Sequence, residues 1–381
     1  MTEISERAVA SGLFSQVKSK IKENRRVRLD GGYNCIPWNN LPGLSSVIPG
    51  IQKSRYYLVT ANSKVGKTQL ADFLFVYEPY EFIVREKPKN IKLKIFYFSL
   101  EMSKERKLLS ILAYKIFKDK QIIISPEDLY STFKKKILDE EIEKLLDEYD
   151  EYFKELEKTV VIIDNIRNPY GIFKYMENYA EANGKWTYKI IKWTRDDGTV
   201  VDKEVKDTYY PNNPDEYIEV ITDHISLLTP EKGQSIHEAM SKFSSDYCLY
   251  MRDKLQYTII NIQQQAAAQE KQQYTNNGES ILEKLKPSAD GLGDNKLVTR
   301  DVDVMIGLFA PARYKIKTHE GYNIERLGDH YRELLVLVNR NGSGFCSDHL
   351  LFHGAVNYFQ ELPAKPDEAF YRRVEDKFKL R

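Results

Sequence analysis

The chain has only three cysteines, Cys35, Cys248 and Cys346, far apart and without a Cys-x-x-Cys pair. That excludes a disulfide framework and zinc-ligand spacing, and it fits inert thiols in a reducing compartment. No apolar run approaches the roughly 18 residues needed to span a bilayer. The opening stretch, Met1 to Gln16, lacks the apolar core of a secretory signal. The expectation is a cytoplasmic protein without a membrane anchor. Charge of one sign is also missing. Lys and Arg number 57 against 56 Asp and Glu, so a polyanionic partner must be met by local patches. Of the six histidines, only His349 and His353 stand four apart. They flank Leu-Leu-Phe in an expected strand, where structural roles are expected over metal binding. No internal repeat is present.

What is present fits a folded α/β chain. Hydrophobic residues make up 42% and charged residues 30% of 381 residues, enough for one large α/β domain or two medium ones. Val9, Leu13, Val17 and Ile21 recur every four residues with Phe14 beside them, which predicts an amphipathic helix followed by a basic tether. That helix either packs on its own domain or docks on a neighbouring subunit. Short apolar runs predict buried strands at Tyr56–Ala61, Leu93–Phe98, Thr159–Asp164, Tyr217–Asp223, Tyr257–Ile262, Val302–Phe309 and Leu334–Val338. Long mixed segments between the first five read as crossovers, so the fold class is α/β with a mainly parallel sheet covered by helices. Two insertions interrupt it, at about 78–92 and 183–215. The second contains a hairpin, Tyr188–Trp193 and Thr199–Val205, turning at Asp196-Asp197-Gly198. The polar segment Gln264–Leu297 is too long for a routine connection.

The strongest local signal is Ala61-Asn62-Ser63-Lys64-Val65-Gly66-Lys67-Thr68, set between an apolar strand and a helical run opening at Gln69. This is the context of a phosphate-binding P-loop. Backbone N–H groups of Ser63 to Thr68 would wrap a phosphate at a helix N-terminus. Lys67 would reach the β- and γ-phosphates of ATP, and the Thr68 hydroxyl would hold Mg²⁺. Ala61 stands where the motif has its first glycine, but Gly66 keeps the position where backbone approaches phosphate. A second-strand acid is needed for the metal site, and Asp164 and Asp223 both end apolar runs. Glu101, just past the strand Ile95–Phe98, is the candidate base for the attacking water.

Phe98-Ser99-Leu100-Glu101-Met102-Ser103 resembles, residue for residue, the FSLEMS segment of the DnaB-type replicative helicases, hexameric motors with a RecA-like core. Other motifs follow in that family's order. Asp223 to Leu228 is similar to the D-Y-L-Q-L-M Walker B segment. Thr258 to Gln263 resembles the strand ending in a γ-phosphate-sensing Gln. Gly291 to Val304 resembles the stretch with a DNA-binding loop. Asn339-Arg340-Asn341-Gly342 is similar to the Q-R-N-G that carries the arginine finger.

The resemblance covers about residues 36–362, leaving 1–35 as linker helix and tether and 363–381 as a tail. It implies Asp223 as the Walker B acid with Thr68 at Mg²⁺, Glu101 as the residue polarising water, Gln263 as sensor and Arg340 as a finger acting across an interface. Gly293, Asn295 and Lys296, with help from Lys271, Lys284 and Lys286, would meet DNA. Val338 replaces a family lysine before the finger, and His224 replaces a tyrosine. About sixty residues precede the P-loop, which points to a bacteriophage-type motor without the family's N-terminal domain. The implied function is ATP-driven movement of a homo-oligomeric, hexameric ring along single-stranded DNA, with a separate primase or polymerase as partner. A RecA- or RadA-like recombination ATPase and a KaiC-like ring that ignores DNA are the rivals.

Overall fold

Runs rich in β-branched and aromatic residues with few polar interruptions belong in the buried strands of a sheet, and each expected run forms a strand. The structure, a computed structural model, describes residues 12–134, 137–266, 284–295, 298–342 and 346–378. Among the described residues, the strands longer than two residues are, in chain order, β1 Tyr56–Ala61, β2 Lys92–Ser99, β3 Val160–Ile163, β4 Gly184–Thr194, β5 Val200–Pro211, β6 Glu216–Asp223, β7 Thr258–Gln264, β8 Val304–Phe309, β9 Tyr331–Asn339, β10 Cys346–His353 and β11 Tyr358–Glu361. Of these, all but β4 and β5 form a nine-stranded sheet in the order β11-β10-β9-β8-β1-β7-β6-β2-β3, and Thr318–His319 pairs with Tyr322–Asn323 as a separate short ribbon. The strands from β3 to β8 in that order run parallel. The edge from β9 to β11 is antiparallel.

Alternate residues of the central strands supply two separate apolar layers. Val59, Ile221, Ile262 and Leu308 pack with Leu70 and Phe73 on one face. Leu58, Val220, Ile259 and Met305 pack with Ile172 and Met176 on the other. Helix α1 (Leu13–Leu29) precedes β1, and α2 (Lys67–Asp72), α3 (Glu78–Glu86), α4 (Lys104–Lys120) and α5 (Pro169–Ala182) lie among the crossover segments. No described helix is long and apolar enough to cross a membrane.

The segment expected as an insertion at 78–92 is largely helix. A π-helical turn, Phe73–Tyr77, joins α2 to α3 without a break. In that register Glu78 N–H donates to the Phe73 carbonyl. The next donor would be residue 79, a proline with no N–H, so the Leu74 carbonyl loses its helical partner. The indole N–H of fully buried Trp38 donates to it instead, at 2.8 Å. Trp38→Phe keeps most of the apolar volume and leaves that carbonyl unsatisfied. A loss of about 1–3 kcal/mol is expected in denaturant unfolding; an unchanged midpoint would mean the bond adds nothing.

The hairpin β4–β5 turns where expected, with Gly198 at φ 83°, and is longer than expected at both ends. Trp186 packs against Tyr209 and Tyr250, whereas Trp193 is exposed under the Lys203 ammonium. Helix α1 does not pack on its own domain through the expected stripe: Phe14, Val17 and Ile21 are 78%, 46% and 62% exposed. Val9 lies outside the described residues. His349 Nδ1 pairs with the Tyr331 hydroxyl at 2.7 Å, and the His353 ring packs against Phe378 and His330.

Candidate nucleotide site

The loop between β1 and α2 turns on Gly66, whose φ of 110° favours glycine. A Cβ there would also lie 3.2 Å from the Phe352 ring, which forms the floor beneath the loop. Residues distant in sequence brace the rest of the turn. Asn62 donates to the Tyr314 hydroxyl at 2.8 Å and to the Leu285 carbonyl. Arg313 donates to the Ser63 carbonyl. Arg332, 1% exposed, donates from Nε to the Val65 carbonyl at 2.7 Å, with its guanidinium 4.7 Å above the Phe352 ring. Each bond ties a carbonyl or side-chain amide of the loop to a residue distant in sequence, so the turn is held in shape from outside.

Thr68, in the first turn of α2, and Asp223, at the end of β6, follow strands separated by β7, yet the Thr68 hydroxyl donates to Asp223 Oδ1 at 3.0 Å. Burial alone would raise the Asp223 carboxyl. The neighbouring Lys107 ammonium and the bonds from Thr68, Lys107 and Tyr97 outweigh it and hold the acid below the usual range. A hydroxyl and an ionised carboxylate side by side are the hard oxygen donors that suit Mg²⁺. Asp164 is used otherwise: its Oδ2 accepts the Lys104 N–H where α4 begins.

Ser63, Lys64, Gly66, Lys67, Thr68 and Gln69 line one cleft of about 430 Å³ together with Glu101, Met102, His224 and Gln264. Ala61, Asn62 and Val65 are buried beneath it. The Glu101 carboxylate is half-exposed, with His224 Nε2 3.8 Å away. Burial, and then the Lys67 charge, lower the His224 pKa, so its ring is a neutral neighbour for Glu101. Gln263 is not in the lining. It pairs in register with Thr60, is 1% exposed, and its side-chain oxygen has no hydrogen-bond partner among the described residues. Strand alternation puts Gln264, beside Ala61, into the cleft instead. Gln265 turns back into the core, donating to Thr60 Oγ1 at 2.9 Å and to the Ser288 carbonyl at 3.1 Å.

Arg340 sits at the other end of the sheet. Ala61 pairs with Leu308, whereas Asn339 pairs with Val304, so the P-loop and Arg340 lie beyond opposite ends of β8. At the rise of a strand, that separation is on the order of 15–20 Å. Within its own chain Arg340 reaches the Arg300 carbonyl. Gly293 and Asn295 belong to a short 3₁₀ turn, Asp290–Asn295. Lys296 and Lys271 lie outside the described residues. Lys284 is exposed, but Lys286 is buried 3.2 Å from Glu333, which also meets His319 at 2.8 Å. Lys286 is therefore committed to the core, a correction to its place among the DNA candidates.

Sequence reasoning passed over Arg332, Gln264 and a buried group formed by Asp72, Tyr97 and Lys107. Asp72 had a visible signal, an acid set in the apolar face of Leu70, Ala71, Phe73 and Leu74.

No protein-family model matches the sequence, and no curated protein does. Solved structures do match. A DnaB-like replicative helicase, described with its interactions with primase, superposes with a TM-score of 0.63 at 16% identity, over 94% of this chain and 70% of that one. An ATPase domain superposes with a TM-score of 0.63 at 17% identity, over 93% of this chain and the whole of that one. Likeness at such identities is likeness of fold. Over nearly its whole length, the chain has the RecA-like ATPase fold of the DnaB-like replicative helicases.

Proposed function

We propose that this chain is an ATPase motor of DNA replication, hydrolysing ATP with Mg²⁺ at subunit interfaces of a hexameric ring that moves along single-stranded DNA. The observation that carries the reading is one cleft lined by Lys67, Thr68 and Glu101, with the Asp223 carboxylate bonded to the Thr68 hydroxyl. Lys67 neutralises the β- and γ-phosphates. Thr68 and Asp223 hold the cation, which when bound screens phosphate charge. Glu101 orients and deprotonates the lytic water. Gln264 takes the γ-phosphate contact expected of Gln263. Arg340 completes the site of the adjacent subunit. A primase or polymerase supplied as a separate chain is the proposed partner.

The deciding experiment is strand displacement on forked DNA, run beside ATPase assays with and without single-stranded DNA. ATP-dependent unwinding is expected. ATP turnover indifferent to DNA would favour a ring that does not act on nucleic acid. Removing residues 1–30 is expected to weaken the oligomer, because the exposed Phe14, Val17 and Ile21 would lose the neighbouring subunit that covers them. An unchanged sedimentation profile would sink that docking role.

Lys296 and the backbone beside Gly291 and Gly293 are the proposed DNA contacts. Lys296→Ala is expected to weaken single-strand binding for all sequences alike and to make the salt slope shallower by about 0.7. Salt titrations of oligonucleotide binding with an ATP analogue present would check this. Equal slopes would remove Lys296 from the interface.

A further inference from the structure

The Walker B carboxylate is gripped from behind by a buried ion pair. Asp72 at the end of α2, Tyr97 in β2 and Lys107 in α4 are 2%, 2% and 3% exposed, and Asp223 is fully buried. The Lys107 ammonium lies 3.0 Å from both oxygens of Asp72 and 3.2 Å from Asp223 Oδ2. The Tyr97 hydroxyl stands 2.8 Å from Asp72 and 3.0 Å from Asp223 Oδ2, and it accepts from Lys107. Its single proton serves one carboxylate at a time. Val76, Ile111, Val160 and Ile162 close the surroundings. A buried ammonium is costly unless paired, and here its donors are spent on two acids and a phenol.

We propose that Asp72 and Lys107 form a positioning pair for the magnesium-site carboxylate, with Lys107 fixing Asp223 Oδ2 so that Oδ1 stays turned to Thr68. This rests on the nucleotide reading above. The terminal torsion of an aspartate is broad and roughly two-fold, so a carboxylate held at one oxygen alone can swing. Lys107 and Tyr97 hold the inner oxygen, and the outer one then faces Thr68 at 3.0 Å. Asp72 has the complementary task. An unshared ammonium would neutralise Asp223 and repel a cation, whereas Asp72 draws that charge away through both of its oxygens. Asp72 lines the cleft and Lys107 does not, so Lys107 reaches the site only through the two acids it holds.

The test separates positioning from mere packing. Replacing a buried ion pair by apolar residues of similar volume is often neutral for stability, so the double variant Asp72→Leu, Lys107→Met tests function apart from folding. Tyr97→Phe removes only a hydroxyl and guards against failure of the double variant to fold. Binding of a fluorescent ATP analogue would be titrated with and without Mg²⁺, beside thermal melting. Both variants are expected to bind the analogue like wild type without Mg²⁺. The tightening that Mg²⁺ brings should fall about tenfold in the double variant, and by less in Tyr97→Phe. A folded double variant with full Mg²⁺-dependent tightening would overturn the positioning role. If that variant does not fold, full tightening in Tyr97→Phe would do so. Wild type that binds the analogue with no Mg²⁺ dependence would instead overturn the nucleotide reading on which the proposal stands.

Discussion

Lys67→Ala abolishes ATP turnover, and Glu101→Gln stops turnover while leaving ATP binding intact: this pair of results is expected, and the difference between them is informative. Lys67 opens α2 directly after Gly66, at the positive end of a helix and in the cleft. In the proposed reading its ammonium meets the β- and γ-phosphates, so its loss removes ground-state and transition-state stabilisation together. Preorganised charge of this kind is worth about 10²–10³ in rate. Glu101 stands off the loop on the end of β2, half-exposed, beside a neutral His224. The amide in Glu101→Gln keeps the shape and cannot take a proton, which costs about 10²–10⁴ if the residue is the general base. Equilibrium binding of a fluorescent analogue and steady-state turnover, measured on both variants, separate the two roles. Near-wild-type turnover in Glu101→Gln would remove it as the base.

Arg340 gives the second large effect. It lies beyond the opposite end of β8 from the P-loop of its own chain, so a finger role requires a second subunit. Arginine fingers contribute about 10³–10⁵ in rate. Arg340→Ala should therefore be nearly inactive alone, and so should Lys67→Ala. Mixed, the two variants form some interfaces in which an intact P-loop faces an intact finger. With random mixing, about a quarter of the sites are complete, and basal turnover without DNA should recover toward that fraction. No recovery from two inactive pools would put Arg340 in a role within its own protomer.

The residues that could be read in sequence are those whose meaning is local. The P-loop is one strand, one turn and one helix start, and its glycine and lysine are adjacent. The parallel sheet announced itself through continuous apolar runs such as Tyr56–Ala61 and Val304–Phe309, whose residues are all buried. What stayed hidden depends on register or on pairing at a distance. That Gln264 and not Gln263 lines the cleft depends on which face of β7 meets Ala61, and alternation alone gives two answers. Asp72 and Lys107 are 35 positions apart on different helices, so nothing local marks them as partners. Arg332 is 267 positions from the carbonyl it holds. The helix through 73–86 was obscured by Pro79, which looks like a break until the π-turn and the Trp38 indole are seen to absorb its missing donor. The short edge strand β11 carried no run long enough to declare itself.

The hairpin β4–β5 stands apart from the nine-stranded sheet as its own two-stranded ribbon, and each of its outer edges is a row of backbone groups able to recruit a further strand. Its sequence makes the hazard worse: Tyr188, Ile190, Trp193 and Val200 are all exposed, a composition that favours stacking into fibrils. Lysines interrupt that run at 185, 189, 192 and 203, each of them exposed. A strand added to either edge would have to crowd ammonium groups against its own side chains and those of its copy. The ribbon can therefore project from a crowded assembly and still refuse to polymerise, and replacing Lys189 and Lys192 with threonine would turn a surface ornament into a seed for aggregation.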